Sequence, residues 1–338
     1  MSTETTFDPA LWKTITEQAW LAMHLPESIG GLGLGLVELA VVAEETSRAC
    51  MPGPFLSSLW ATTLLARLNK PALTSAYLNS LIEGNMKATV ALLESDSEWD
   101  PHQVQLGLKK NLHGWQINGK KTFVLDGAAA DLFLCIVRKD EELAVVAIPK
   151  ATATLAPLPV IDATRKLYEV SFNNVPIREE QILAAGRSAR EALEYSTLVA
   201  TLVVCAETVG AIQWVLEATV EYAKTRQQFG KIIGSFQAVQ HQCADMLLYT
   251  ESARAATRFA AWALTAGIPE ASKALSVAKA YCSDMGREVC NHGVQVHGGI
   301  GFTWEHDLHL YLKRVTLNQF LFGDAVYHRE KIARAILD

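Results

Sequence analysis

The sequence predicts an α+β protein in three blocks: an N-terminal α-helical domain over 1–85, a middle antiparallel β domain or barrel over 86–185, and a C-terminal four-helix bundle over 186–338. Two observations carry that prediction. Apolar residues recur every three to four positions in the outer blocks and every second position in the middle one. Glycine, proline and asparagine fall at the joins between the periodic runs. The length of 338 residues agrees, since domains average about 150 residues each.

In the first block Trp12, Ile15, Ala19, Trp20 and Met23 form one helical stripe. A proline–glycine turn over 25–33 leads to a second helix at 37–47, and Pro52-Gly53-Pro54 separates this from a third at 55–68. Gly30, Gly31 and Gly33 do not make a dinucleotide fingerprint, because a helix rather than a strand precedes them. In the middle block 89–93, 115–119, 132–137, 144–148 and 168–172 read as strands. Asn118-Gly119 and Asp126-Gly127 supply turn chemistry, and Asn173-Asn174-Val175-Pro176 predicts a strand stop. The last block holds four long helical segments, 188–225, 236–266, 270–297 and 305–336.

Composition narrows the function. Half the residues are hydrophobic and a fifth charged, enough for a sizeable core. No uninterrupted apolar run reaches the ~18 residues of a membrane span. Met1 to Thr6 are polar and acidic, without a secretory leader, so a cytoplasmic location is expected. The net charge of −6 and dispersed Lys and Arg argue against a nucleic-acid partner. Six scattered cysteines with no CxxC pair predict no disulfide framework and a reducing compartment. Cys290, His292 and His297 sit in an apolar helical pattern, which favours packed or surface residues over metal ligands.

Two stretches carry the chemistry: Thr225-Arg226-Gln227-Gln228-Phe229-Gly230 followed by Phe236-Gln237, and Gln295-Val296-His297-Gly298-Gly299-Ile300-Gly301-Phe302-Thr303-Trp304-Glu305-His306-Asp307. With the turn at 26–33, the hairpin-like Ile117-Asn118-Gly119-Lys120-Lys121 and Ala244-Asp245-Met246, they resemble the acyl-CoA dehydrogenase family over nearly the whole chain. The resemblance implies FAD, an acyl-CoA substrate oxidised to the 2-enoyl-CoA, and electrons leaving to an electron-transfer flavoprotein. The chemistry needs a held flavin, donors that polarise the thioester carbonyl, and a carboxylate base at Cα. It assigns Arg226 to the flavin pyrophosphate, Phe229 to the cofactor's flat surface, Gln237 and Gln295 to amide hydrogen bonds, and Gly298 and Gly299 to close backbone approach. In this family such residues reach a flavin held mainly by a neighbouring subunit.

The residues expected to hold the chain's own flavin depart from the family pattern. The usual Thr-Glu-Pro…Gly-Ser-Asp stretch is replaced by the acidic Leu92-Leu93-Glu94-Ser95-Asp96-Ser97-Glu98-Trp99-Asp100, and the usual Trp-Ile-Thr by Phe123-Val124-Leu125. Acidic groups beside a pyrophosphate are repulsive. Both family positions for the base also differ, one reading Phe322 and the other Ala200. Glu207 and Asp324 are the remaining nearby carboxylates, each either a relocated base or a structural group, as a helix-end charge or an ion pair with Arg329 or His328. These departures, with an N-terminus that starts late against full-length members, resemble the smaller subunit of heterotetrameric α2β2 bacterial acyl-CoA dehydrogenases of steroid side-chain catabolism. The partner expected is a larger homologous subunit. Two other readings stand beside this one: a self-sufficient homotetramer using Asp324 or Glu207, and an inert acyl-CoA-binding or scaffold protein.

Overall fold

Asp8 opens the first helix, α1 (Pro9–Glu17), by accepting from Ala10 N at 2.8 Å and Leu11 N at 3.2 Å. Pro9 takes the first helical position, where its missing N–H is no loss. The computed structural model describes residues 7–68, 71–94, 99–112 and 114–337, so the N-terminal hexapeptide and the acidic residues 95–98 lie outside the described residues. α1 is shorter than the apolar stripe predicts. Ala19 takes φ 54° and the chain turns, so Leu21 and Met23 reach the core from a turn rather than a helix. α2 (Leu36–Arg48), α3 (Phe55–Arg67) and α4 (Pro71–Ile82) follow.

Two compact units result, Met1–Leu34 with Pro52–Ala200, and Gly35–Met51 with Thr201–Asp338. In the first, β1 (Ala88–Ala91), β2 (Leu108–Asn111), β3 (Gly114–Leu125), β4 (Leu132–Lys139), β5 (Glu142–Pro149), β6 (Thr154–Leu158), β7 (Leu167–Ile177) and β8 (Ile182–Ala185) make two four-stranded sheets, β1-β4-β5-β8 and β2-β3-β7-β6. All pairings are antiparallel except β1 with β4. Both sheets turn side chains into one core, including Phe133, Val146, Ile117 and Phe172.

Two turn signals act differently from expectation. Asn118-Gly119 is not a turn but a bulge inside β3, and the expected stop at 173–176 is continuous strand β7. The two irregularities face each other: Asn174, at φ 50°, sends its N–H to Asn118 Oδ1 at 3.4 Å. Bulges take the same residues as turns because both need unusual backbone angles. Asp126-Gly127 does turn, with Ala129 N and Ala130 N both donating to Asp126 O.

α5 (Arg187–Thr225) supplies both units. By overall length and hydropathy it could cross a bilayer, yet most of its apolar segment is buried within the protein, as in the core helix of a bundle. The second unit joins its C-terminal part to α2, the short strands β9 (Gln227–Gln228) and β10 (Lys231–Ile232), and α6 (Gln237–Ala266), α7 (Ala271–His297), α8 (Leu308–Phe320) and α9 (Ala325–Leu337). α2 and α5 touch backbone to backbone at Gly210, where a Cβ would lie 1.8 Å from Glu44 O. Around that contact Arg254 binds Glu44 Oε1 at 2.8 Å and Gln213 Oε1 at 2.6 Å, while Arg48 binds Glu217 Oε2 at 2.7 Å. The last expected helix, 305–336, is instead two helices. Phe322 at φ 61° and Gly323 at φ 100° break the chain between α8 and α9.

Candidate functional site

The Arg226 segment leaves α5 as a tight hairpin. Arg226 N donates to Tyr222 O at 2.9 Å, and Arg226 O accepts from Ile233 N at 2.9 Å. β9 and β10 pair around Phe229 and Gly230, whose φ values of 53° and 78° are those of a two-residue turn with both angles positive. Phenylalanine in that conformation costs about 1 kcal/mol or more. Its ring is nevertheless 90 % exposed, with one edge contact to Phe236 at 6.1 Å.

The second segment ends α7. Gln295 is exposed, Gly298 N closes the helix onto Gln295 O and Val294 O, and Gly298 and Gly299 have open space where a Cβ would sit. The two segments meet where the rings of Tyr222 and His297 stack, 4.5 Å between centroids and 21° apart. The second unit thus gathers Arg226, Phe229, Gln237, Gln295, Gly298 and Gly299 on its surface, all exposed. A guanidinium, two amides, an aromatic face and uncovered backbone can hold an anionic, flat-ringed ligand brought from outside. They fit a flavin nucleotide.

The two positions where the resemblance looks for a base hold Phe322 and Ala200, neither of which can take a proton. Phe322 is 2 % exposed, and its carbonyl accepts from His328 Nε2 at 3.0 Å. Burial, aided by the Lys279 ammonium, pushes His328 down to about 4, so its neutral ring serves as this donor. Lys279, buried on α7, donates to Gly323 O at 2.8 Å, Gln319 O at 3.0 Å and Ser283 Oγ at 3.2 Å, and burial brings its pKa down to about 8. Asp324 caps α9: its Oδ1 accepts from Tyr327 N at 2.8 Å, and its carbonyl from His328 N at 3.1 Å. Arg329 pairs with Asp284 rather than with Asp324. Glu207 is 3 % exposed and Ala200 fully buried, both within α5.

In the middle block, the described residues of the stretches that depart from the family pattern bond one another. Glu94 accepts from Lys121 Nζ at 2.6 Å and from Gln105 N and Leu106 N at 3.0 Å each. Burial alone would raise the Glu94 carboxyl, but the Lys121 ammonium and the two N–H groups outweigh it and hold the group below its ordinary range. Lys121 is fully buried and also donates to Leu92 O at 2.9 Å. Thr122 N closes onto Leu93 O at 2.9 Å, and the buried Asp126 accepts from Ser57 Oγ at 2.7 Å. Leu125, where the resemblance expects threonine, has no hydroxyl to offer.

Sequence reasoning missed Tyr222 and Lys279, and it missed the Tyr222–His297 stack and the Lys121–Glu94 pair although it named His297, Lys121 and Glu94. Lys279 left one signal, a lysine within the apolar stripe of Leu275, Ala278 and Cys282. Among the described residues no three His, Cys, Asp or Glu side chains converge as a metal site, and the six cysteines are free thiols.

Comparison with known proteins identifies the family. Residues 1–85 match the model of the acyl-CoA dehydrogenase N-terminal domain, and residues 191–337 that of the C-terminal domain. The acyl-CoA dehydrogenase IpdE2 of Mycolicibacterium smegmatis is 32% identical over 336 residues, covering 99% of this chain and 89% of that protein. A solved chain of the ChsE4-ChsE5 complex from Mycobacterium tuberculosis superposes with TM-score 0.89 at 27% identity, covering 100% of this chain and 90% of that one. The Tcur3481-Tcur3483 steroid ACAD, solved as a variant, gives TM-score 0.87 at 27% identity over 99% of this chain and 90% of that one. With helical ends, a central pair of sheets and the two exposed motif segments all in place, the chain belongs to the acyl-CoA dehydrogenase family of FAD-dependent enzymes.

Proposed function

We propose that this chain is the non-catalytic partner in an α2β2 acyl-CoA dehydrogenase, contributing one side of a flavin site that a larger homologous subunit completes and uses. One observation carries this reading. The groups suited to a flavin from outside are all exposed, while the family's base position is a buried, clamped Phe322 and the nearest carboxylate, Asp324, is occupied as a helix cap. FAD, when bound, supplies the acceptor for hydride from the acyl chain. This chain's part is to bind and orient. Arg226 holds pyrophosphate oxygens, Gln237 and Gln295 donate amide N–H bonds, Phe229 covers the flat surface, and Gly298-Gly299 admits backbone contact. The proton-abstracting carboxylate comes from the other subunit.

Two similar solved chains carry paired names, ChsE4-ChsE5 and Tcur3481-Tcur3483, which supports a mixed complex. The second is described as a steroid enzyme, which supports a bulky CoA thioester, of the steroid side-chain class, as substrate. A site with only one working base per pair of chains leaves room for such a ring system. Electrons then leave to an electron-transfer flavoprotein. Co-expression with a homologous larger chain tests the proposal: a mixed complex holding about one flavin per two chains is expected from its symmetry. A flavin-saturated, active assembly of this chain alone would overturn it.

A further inference from the structure

The two flavin-facing segments lie about seventy residues apart in sequence, and one ring stack joins them. His297 is 3 % exposed. Its Nδ1 lies 2.8 Å from Gly293 O, which can only accept, so Nδ1 carries the hydrogen and Nε2 is a bare acceptor. Nε2 has no hydrogen-bond partner among the described residues. Burial, with His306 beside it, holds the imidazole below its ordinary pKa against the opposing Gly293 bond, so the ring is neutral. One face stacks on Tyr222, whose carbonyl fixes Arg226 N; the ring also meets His306 at 4.6 Å, tilted 60°. His306 Nδ1 accepts from Leu308 N at 3.2 Å where α8 begins, and its ring lies 6.3 Å from Trp214, which stacks on Tyr311 at 3.9 Å. Tyr311 in turn donates to Arg48 O at 2.8 Å. An aromatic column therefore runs from the α2 end to the foot of both segments.

We propose that His297 is a positioning residue that sets the spacing between Arg226 and the Gln295–Gly299 backbone through its stack on Tyr222, so that both grip one flavin at once. A leucine would fill the same space, but a flat ring in parallel contact also fixes orientation. Two groups held in register bind one ligand better than the same groups free to drift. This rests on the reading of the surface as a flavin-contributing one.

The test is a double-mutant cycle on the co-purified complex, with FAD added back after stripping and retention read from flavin absorbance. Arg226→Ala is expected to weaken FAD binding about ten- to hundredfold, the worth of one charge-assisted bond. His297→Ala is expected to cost about tenfold by the same scale, and little more when combined with Arg226→Ala, because it acts through that residue. His297→Phe keeps the stack and is expected to restore most of the affinity; Tyr222→Leu, which breaks the stack from the other side, is expected to match His297→Ala. Melting temperatures taken alongside separate a loss of fold from a loss of register. Penalties that simply add, or a His297→Phe as weak as His297→Ala, overturn the positioning role. An Arg226→Ala complex that binds FAD like the wild type overturns instead the reading on which it rests.

Discussion

Asp324 is the residue whose two candidate roles make opposite demands on one pair of substitutions. As the cap of α9 it accepts one hydrogen bond from Tyr327 N and places a negative charge at a helix start, near the Lys279 ammonium. Losing a cap costs about 1 kcal/mol, and losing a charge at a helix N-terminus about 0.3–1 kcal/mol. Asp324→Ala removes both, for about 1.5–2 kcal/mol. Asp324→Asn keeps the cap, since asparagine caps as well as aspartate, and loses only the charge, for about 0.5 kcal/mol. A general base behaves the other way. Asparagine cannot take a proton, and the loss of a base lowers turnover by about 10²- to 10⁴-fold. The assay is therefore paired: urea midpoints of the complex beside turnover with acyl-CoA. The expected order of stability is wild type, Asn, Ala, with turnover of folded protein unchanged throughout. An Asp324→Asn complex that is nearly as stable as wild type but a hundredfold slower would refute the cap as its role.

The buried histidine on the same elbow sets an acid limit. His328 has a folded pKa of about 4 against an ordinary 6.5, so the unfolded chain binds the extra proton first and stability is lost as pH falls from about 6.5 to about 4. That interval is worth about 3 kcal/mol. His328→Gln, which keeps a donor for Phe322 O but does not titrate, is expected to flatten the acid limb of a urea-midpoint profile; an unchanged limb counts against it. At the α2–α5 contact, Gly210→Ala sets a methyl against the Glu44 carbonyl, and overpacking of backbone on backbone is expected to cost about 3 kcal/mol or more. A melting temperature within a degree or two of wild type would show the helices free to part.

The periodicities made the order of helix and strand legible where an element buries one face and repeats its apolar residues accordingly, as in α2 and β7, while β4 and β5 show instead as unbroken apolar runs and α3 is buried on every side. What they conceal is partnership. The stripe of α2 is clear, yet nothing in it says that α2 packs with residues 201 onward. Nor do Asn118-Gly119 and Asn173-Asn174 distinguish a turn from a bulge, since that depends on the strand lying opposite. The helix break at Phe322 shows only as the glycine that follows it, for phenylalanine has no preference for φ 61°. The exposed site residues were legible as motif words, whereas Tyr222 and His297 are joined only by folding. Lys121 looks like any surface lysine until burial gives it its fixed acceptors, whereas Lys279 shows only as a charge within an apolar stripe.

The excursion of α2 into the second unit has a consequence for how the protein is made. Glu44 and its partner Arg254 are 210 residues apart in sequence. At about 5–20 residues per second of translation, roughly 10–40 s pass between their synthesis. Throughout that time Leu36, Leu39, Ala40 and Ala43 have left the ribosome without the full set of helices that will cover them. The nascent chain thus carries a sticky helix that is unpaired until α5 arrives and incompletely covered until α6 follows, and chains aborted before α5 keep it for good. Chaperone demand and truncation toxicity should follow the position of the stalled ribosome rather than the stability of the finished fold.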